Sequence, residues 1–238
     1  RKNMNDKRPN WLFDESAQVG VDYNDESLVA EYDEQHEGFR DFDNEAKKIF
    51  ATLDLSPDSI ILDIGCGTGG LTTRFAQMCK HVYAVDISKS MIFQLAHKAK
   101  TQGLNNVTMV QSGFLTYKHQ GKELDAIIAN INLHHLPDFW KQIALCRFFD
   151  LLKNGGKLFL ADVVFDFDPR SYQKEIEAWV AGMEEHAGSK MANETIIHIR
   201  DEFSTWEWIM KGMLERAGFR IDGFFEIMKH IHAYICSK

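Results

Sequence analysis

The chain has 238 residues, of which 45% are hydrophobic and 26% charged, and 27 Lys plus Arg against 35 Asp plus Glu give a formal net charge of −8. At about 150 residues per domain this fits one large domain or one domain with an insertion, and such apolar content excludes disorder across the whole chain. No apolar run approaches the roughly 18 residues of a membrane span, the opening RKNMNDKRPN has no apolar signal core, and the negative balance counts against a nucleic-acid partner.

Residues 14–45 hold twelve Asp or Glu and a single Arg. We read residues 1–43 as an acidic helical lid segment, with Trp11, Phe13, Tyr23 and Tyr32 as its aromatic anchors. Strands are predicted at 59–64 (SIILDI), 81–86 (HVYAVD), 107–111 (VTMVQ), 124–130 (LDAIIAN) and 157–165 (KLFLADVVF). Helices are predicted between them at 70–79, 88–101 and 137–152, the last burying Phe139, Ile143, Phe148 and Leu151. Continuous apolar strands alternating with helices imply a parallel sheet covered on both faces, a doubly wound α/β fold. Residues 166–203 interrupt the rhythm as an insertion, helical from Pro169 to about Ala187 and then a polar link. Ser204 and Glu207 have capping-box spacing for a helix running to Ala217, with Gly218 closing it. The last two strand-like runs suggest an antiparallel hairpin at the sheet edge, with His230 and His232 on one face of an edge strand. Cys66, Cys79, Cys146 and Cys236 include no CxxC pair, which points to reduced thiols and a cytoplasmic address.

The strongest local signal is ILDIGCGTGG, residues 61–70, where a strand runs into glycines and then a helix. Glycine lets the backbone turn sharply and approach a ligand closely, and the helix N-terminus offers free N–H groups. Gly65, Gly67 and Gly70 satisfy a dinucleotide fingerprint, and Asp86 stands 21 residues after Gly65, where an acid holds ribose hydroxyls. The loop alone therefore leaves NAD and other adenosine ligands open. Asp63 helps to decide: a pyrophosphate beside it would meet a carboxylate, whereas an ammonium or sulfonium would be attracted.

At this point the sequence resembles the class I S-adenosylmethionine-dependent methyltransferases. LDIGCGTG is similar to their first motif and VYAVDIS to the segment after it. LDAIIANINLHHLPDFW resembles the fourth-strand motif, LLKNGGKLFLADV the helix, turn and strand that follow, and LERAGFRI the entry to the sixth strand. The resemblance spans about residues 45–165 and 204–238. It implies a mostly parallel, Rossmann-like sheet of seven strands with an antiparallel last strand, occupying residues 44–238, and S-adenosylmethionine as cofactor. By the same resemblance Asp63 and the loop of Gly65, Cys66, Gly67, Thr68 and Gly69 face the methionine moiety. Asp86 takes the ribose, with Ile87 and Met91 beside the adenine. Ser112, Gly113 and Phe114 close over the base, although Ser112 stands where the family usually has an acid. Asn130 and Ile131 supply backbone at the end of the fourth strand, and Tyr23 offers a ring to the sulfonium.

His134 and His135 follow the fourth strand, where a histidine could deprotonate an acceptor, and of the two His135 is favoured. Metal ligation by the pair is set aside because no third ligand has suitable spacing. The insertion offers Phe165, Trp179, Met183, Phe203 and Trp206 to an acceptor pocket, and Arg200 to an acidic acceptor or a surface ion pair. The expected activity is methyl transfer to a small-molecule acceptor. An RNA or protein methyltransferase, a non-catalytic cofactor-binding domain and an NAD oxidoreductase are the alternatives, and oligomeric state is not legible.

Overall fold

A computed structural model describes residues 9–17, 19, 20 and 40–238. The first helix, α1 (Phe42–Thr52), is capped by the Asp41 carboxylate, which accepts from Asn44 N–H. It leads into β1 (Ile60–Ile64), α2 (Thr72–Met78), β2 (His81–Asp86), α3 (Lys89–Thr101), β3 (Val107–Gln111) and β4 (Leu124–Asn130). Next come α4 (Asp138–Leu151), β5 (Leu152–Phe165), α5 (Tyr172–Asp201), a two-residue strand β6 (Thr205–Trp206), α6 (Glu207–Ala217), β7 (Arg220–Met228) and β8 (Ile231–Ser237). The main sheet runs in the order β3-β2-β1-β4-β5-β8-β7, with β6 beside β5. Neighbours from β3 to β5 pair in parallel, and β8 pairs antiparallel with both β5 and β7. The expected doubly wound α/β fold is therefore present.

Strand β1 is buried along its whole length, and the period-2 alternation of a strand sorts its side chains. Ile60, Leu62 and Ile64 pack with Leu145 and Phe148 of α4 and Met210 and Leu214 of α6. Ile61 packs on the other face with Ile49 of α1 and Phe75 of α2. Asp63 shares the face of Ile61, so its carboxylate points towards α2, where Thr72 Oγ1 donates to it at 2.5 Å.

Several local expectations are corrected. The described part of the 1–43 segment forms turns and bends before α1, and the boundary at residue 43 falls inside that helix. Trp11 is 70% exposed, not a buried anchor, whereas Phe13 packs against Trp140 at 6.3 Å. Tyr23 and Tyr32 lie outside the described residues. On α4 Phe139 is exposed and Lys141 is buried instead, because its ammonium reaches Asp138 Oδ1 at 2.8 Å and the Phe203 carbonyl while the stem packs as apolar surface. The polar link after Ala187 is a second helical half of α5 beyond a break at Gly188, which has φ 83°. Ser204 does not cap α6; its hydroxyl is engaged with His198 Nε2 at 2.7 Å, while Glu207 pairs with Lys211. Gly218 closes α6 with φ 105°, as expected. Strand β8 is interior to the sheet, so His232 is 2% exposed, and His230, in the turn before it, is 3% exposed; neither lies on a surface edge.

Candidate functional site

Strand order reverses between β1 and β4, and the loops at the carboxyl ends of the strands open a crevice there. The glycine loop leaves β1 with Gly65 at φ 70° and Gly67 at φ 54°, conformations that disfavour side chains. A Cβ on Gly65 would sit 2.2 Å from Asn132 Nδ2, whereas one on Gly67 would meet open space. Asn132 pins the loop by donating to the Ile64 and Gly65 carbonyls at 2.6 and 3.2 Å. Asp86 holds it from the other side, its two carboxylate oxygens accepting Gly67 N–H at 2.9 Å and Ser88 N–H at 2.8 Å. Burial raises the Asp86 carboxyl above its ordinary range, against the pull of those N–H groups.

Two cavities meet at this crevice. The first is lined by Gly65, Gly67, Asp86, Ile87, Met91, Ser112, Gly113, Phe114, Asn130, Ile131 and His135, all of them expected site residues. Glu15, Ser16, Ala17 and Val19 cover it from the N-terminal segment. Glu15 is the fastener, accepting Leu115 N–H at 2.9 Å and the Thr116 hydroxyl at 3.2 Å. Asp63, Cys66, Thr68 and Gly69 are not on this wall. Asp63 lies behind the loop, 3% exposed, and burial pushes its carboxyl up to about 7, opposed by the Thr72 hydrogen bond. Burial also drives the Cys66 thiol upward, and Thr68 accepts from Lys98 Nζ at 3.1 Å.

The second cavity, about 600 Å³, shares Asn130 and Ile131 with the first. Its apolar wall includes Trp179, Met183 and Met191 of the insertion, and its polar end carries His134, His198 and Glu202. Ile131, at the junction, is a β-branched residue held at φ 56°, a strained conformation of the kind that collects at functional positions. Asn130 Nδ2 donates to Glu45 Oε1 at 3.0 Å, and Glu45 is in turn paired with Arg40.

The two histidines divide between the cavities. His134 is buried, and its Nδ1 lies 2.6 Å from Asp162 Oδ1. Burial alone would lower its pKa, but the charge and hydrogen bond of Asp162, with Glu202 adding charge, carry it above the ordinary value. His135 lines the first cavity, and burial together with the neighbouring His134 brings it down to about 4. Asp162, His198 and Glu202 escape sequence reasoning because long-range packing brings them here. The one local signal is the i,i+4 spacing of His198 and Glu202, whose side chains touch. Arg200 is exposed and paired with Asp201, in neither cavity.

A family model described as a methyltransferase domain matches residues 61–156. A protein named as an uncharacterised methyltransferase of a Geobacillus species is 31% identical over 159 residues, covering 64% of this chain and 71% of that protein. This chain is a class I S-adenosylmethionine-dependent methyltransferase. Solved structures share the methyltransferase's fold. An S-adenosylmethionine-dependent methyltransferase of Aquifex aeolicus matches with TM-score 0.63 at 20% identity, covering 90% of this chain and 98% of that one. The magnesium protoporphyrin IX methyltransferase of Synechocystis, solved with S-adenosylhomocysteine bound, matches with TM-score 0.57 at 18% identity, covering 94% and 90%. The cofactor of this methyltransferase is S-adenosylmethionine. Among the described residues no helix is long and apolar enough to cross a membrane.

Proposed function

We propose that this methyltransferase binds S-adenosylmethionine in the first cavity and transfers its methyl group to a small-molecule acceptor held in the second. The observation that carries this reading is the shared wall: Asn130 and Ile131 line both cavities, so ligands in the two would meet there. A volume of about 600 Å³ lies within the range of small-molecule sites. In the first cavity Asp86 accepts from the ribose hydroxyls, Ile87 and Met91 flank the adenine, and Ser112, Gly113 and Phe114 close over it. The Gly65–Gly67 backbone receives the methionine end, with the Asp63 charge behind the loop. Transfer is an in-line displacement: the acceptor's lone pair forms the new bond to carbon, the S–CH3 bond breaks, and its electron pair stays on sulfur. The main work of the protein is orientation and exclusion of water. Activation of the acceptor is assigned to the polar end, where His134 faces the acceptor side and His135 the cofactor side.

The test is transfer of isotope from methyl-labelled S-adenosylmethionine to fractionated metabolites, RNA and protein, with Asp86→Ala as control. Label in the metabolite fraction, lost in the variant along with cofactor binding, is the expected result. Label confined to RNA or protein would overturn the small-acceptor reading.

A further inference from the structure

We propose that His134, His135 and Glu202 form a binding site for a divalent transition-metal ion at the junction of the two cavities. One ligand atom from each of these residues lies within 4.8 Å of the others, the only such trio of metal-ligating side chains among the described residues. The sequence offers two of them side by side and hides the third, which α5 delivers from 67 positions further on.

Three observations point to an ion and not to a hydrogen-bonded cluster alone. First, His134 Nε2 and Glu202 Oε2 stand 3.4 Å apart. That is long for a charge-assisted hydrogen bond, which closes to about 2.7–2.9 Å. It is the separation of two donors each about 2.1 Å from one ion at a tetrahedral angle, roughly 3.4 Å. Second, the other nitrogen of the same ring is tied at 2.6 Å to Asp162, whose Oδ1 also accepts Val163 N–H at 2.8 Å. A carboxylate fixing one imidazole nitrogen so that the other presents its lone pair is the usual outer support of a metal-bound histidine. Third, two buried carboxylates meet here with imidazoles, and no hydrogen-bonded Lys or Arg among the described residues, as their partners. Asp162 and Glu202 are both buried, at 1% and 3% side-chain exposure, and Asp162 Oδ2 has no hydrogen-bond partner. Lys141 spends its ammonium on Asp138 and the Phe203 carbonyl, and His198 Nδ1 contacts the same Glu202 Oε2 that faces His134, holding that oxygen in place.

Two imidazoles and one carboxylate, with positions left for outside ligands, form a donor set suited to zinc and other first-row divalent ions. The open positions face cavity space, since His134 and Glu202 line the acceptor cavity and His135 lines the cofactor cavity. An acceptor hydroxyl or thiol reaching the polar end would occupy such a position and release its proton to water, the ion stabilising the oxygen or sulfur anion that then attacks the methyl carbon as the S–CH3 bond breaks. That use rests on the small-acceptor reading; binding of the ion does not.

The experiment strips the full chain with a chelator and titrates it with Zn2+ by calorimetry and with Co2+ by visible absorption. One ion per chain is expected, with the intense visible bands of a low-symmetry Co2+ site. Glu202→Gln and His134→Ala are expected to lose about a hundredfold in affinity, and Asp162→Asn, acting through His134, about tenfold to a hundredfold. Glu202→Gln keeps the size of the side chain, so a folded variant remains for comparison even where His134→Ala does not fold. No binding of either ion in the micromolar range, or binding unchanged in Glu202→Gln, would overturn the proposal and leave a hydrogen-bonded cluster. S-adenosylmethionine binding to the stripped protein, measured alongside, separates that failure from failure of the methyl-transfer reading.

Discussion

Asp63 shows how one side chain's direction changes its chemistry. In the sequence it stands two residues before the first glycine and reads as part of the mouth of the site; in the fold, strand alternation turns it to the α2 face, where Thr72 Oγ1 donates to it at 2.5 Å. A carboxyl with a pKa near 7 in the folded chain and 3.8 as its ordinary value binds protons more tightly when folded. Between those values the native chain carries more protons than the unfolded one, so stability from this group is present at low pH and lost as pH rises towards 7. Asp63→Asn keeps an oxygen for the Thr72 hydroxyl and removes the titration. The difference in melting temperature between variant and parent is therefore expected to move in the variant's favour from about pH 5 to about pH 8. A difference that stays constant across that range would contradict the assignment.

At the scale of the element, the glycine loop joins β1 to α2 under two separate constraints. Gly65 needs both a positive φ and empty space, because Asn132 fills the place of a Cβ; Gly67 needs only the φ. Gly67→Ala is expected to cost about 1–2 kcal/mol of backbone strain, with a melting temperature lower by several degrees, while its methyl group meets only open space. Gly65→Ala must also displace Asn132 from the carbonyls it holds, so thermal unfolding should register a clearly larger loss, accompanied by loss of S-adenosylhomocysteine binding. Equal losses in the two variants would show that Asn132 does not brace the loop. This junction was legible because strand, glycines and helix are contiguous, and Asp86 followed at the end of the next strand. Asn132 was not, because its role depends on β4 lying beside β1. On the α4 face Phe139 and Ile143 were expected to be buried and are exposed, whereas Lys141 is buried because it finds its partners in Asp138 and in a carbonyl 62 residues away.

Across the whole molecule, Lys141 ties the sheet-covering layer to the insertion that walls the second cavity. Its removal as Lys141→Met would keep the apolar stem and strand the Phe203 carbonyl. A loss of about 1–3 kcal/mol is expected, read by denaturant unfolding. Because Phe203 N–H also donates to the His134 carbonyl at 2.8 Å, the acceptor KM should rise more than the dissociation constant of the cofactor. The doubly wound α/β fold class was readable from periodicity, since each βα unit declares itself locally. The polar end of the second cavity was not, since Asp162 belongs to β5 while His198 and Glu202 come from the C-terminal end of α5, 36 or more positions further on. The N-terminal cover was half readable: an acidic segment was evident, but its fastener proved to be Glu15 and not the exposed Trp11.

The place of β8 bears on how the molecule is made. Of the strands in the sheet it is the last to be synthesised, yet it lies inside, between β5 and β7. A growing chain that has finished β1 to β5 therefore carries residues 157–163 of β5 with one edge unpaired until residues 231–237 emerge, since β6 reaches only Val164 and Phe165. Long-range antiparallel closure of this kind is slow, and an unpaired apolar edge is open to pairing with another chain in the interval. Translation of this protein thus leaves a window, about seventy residues wide from the end of β5 to the end of β8, in which that edge is open to pairing with other chains.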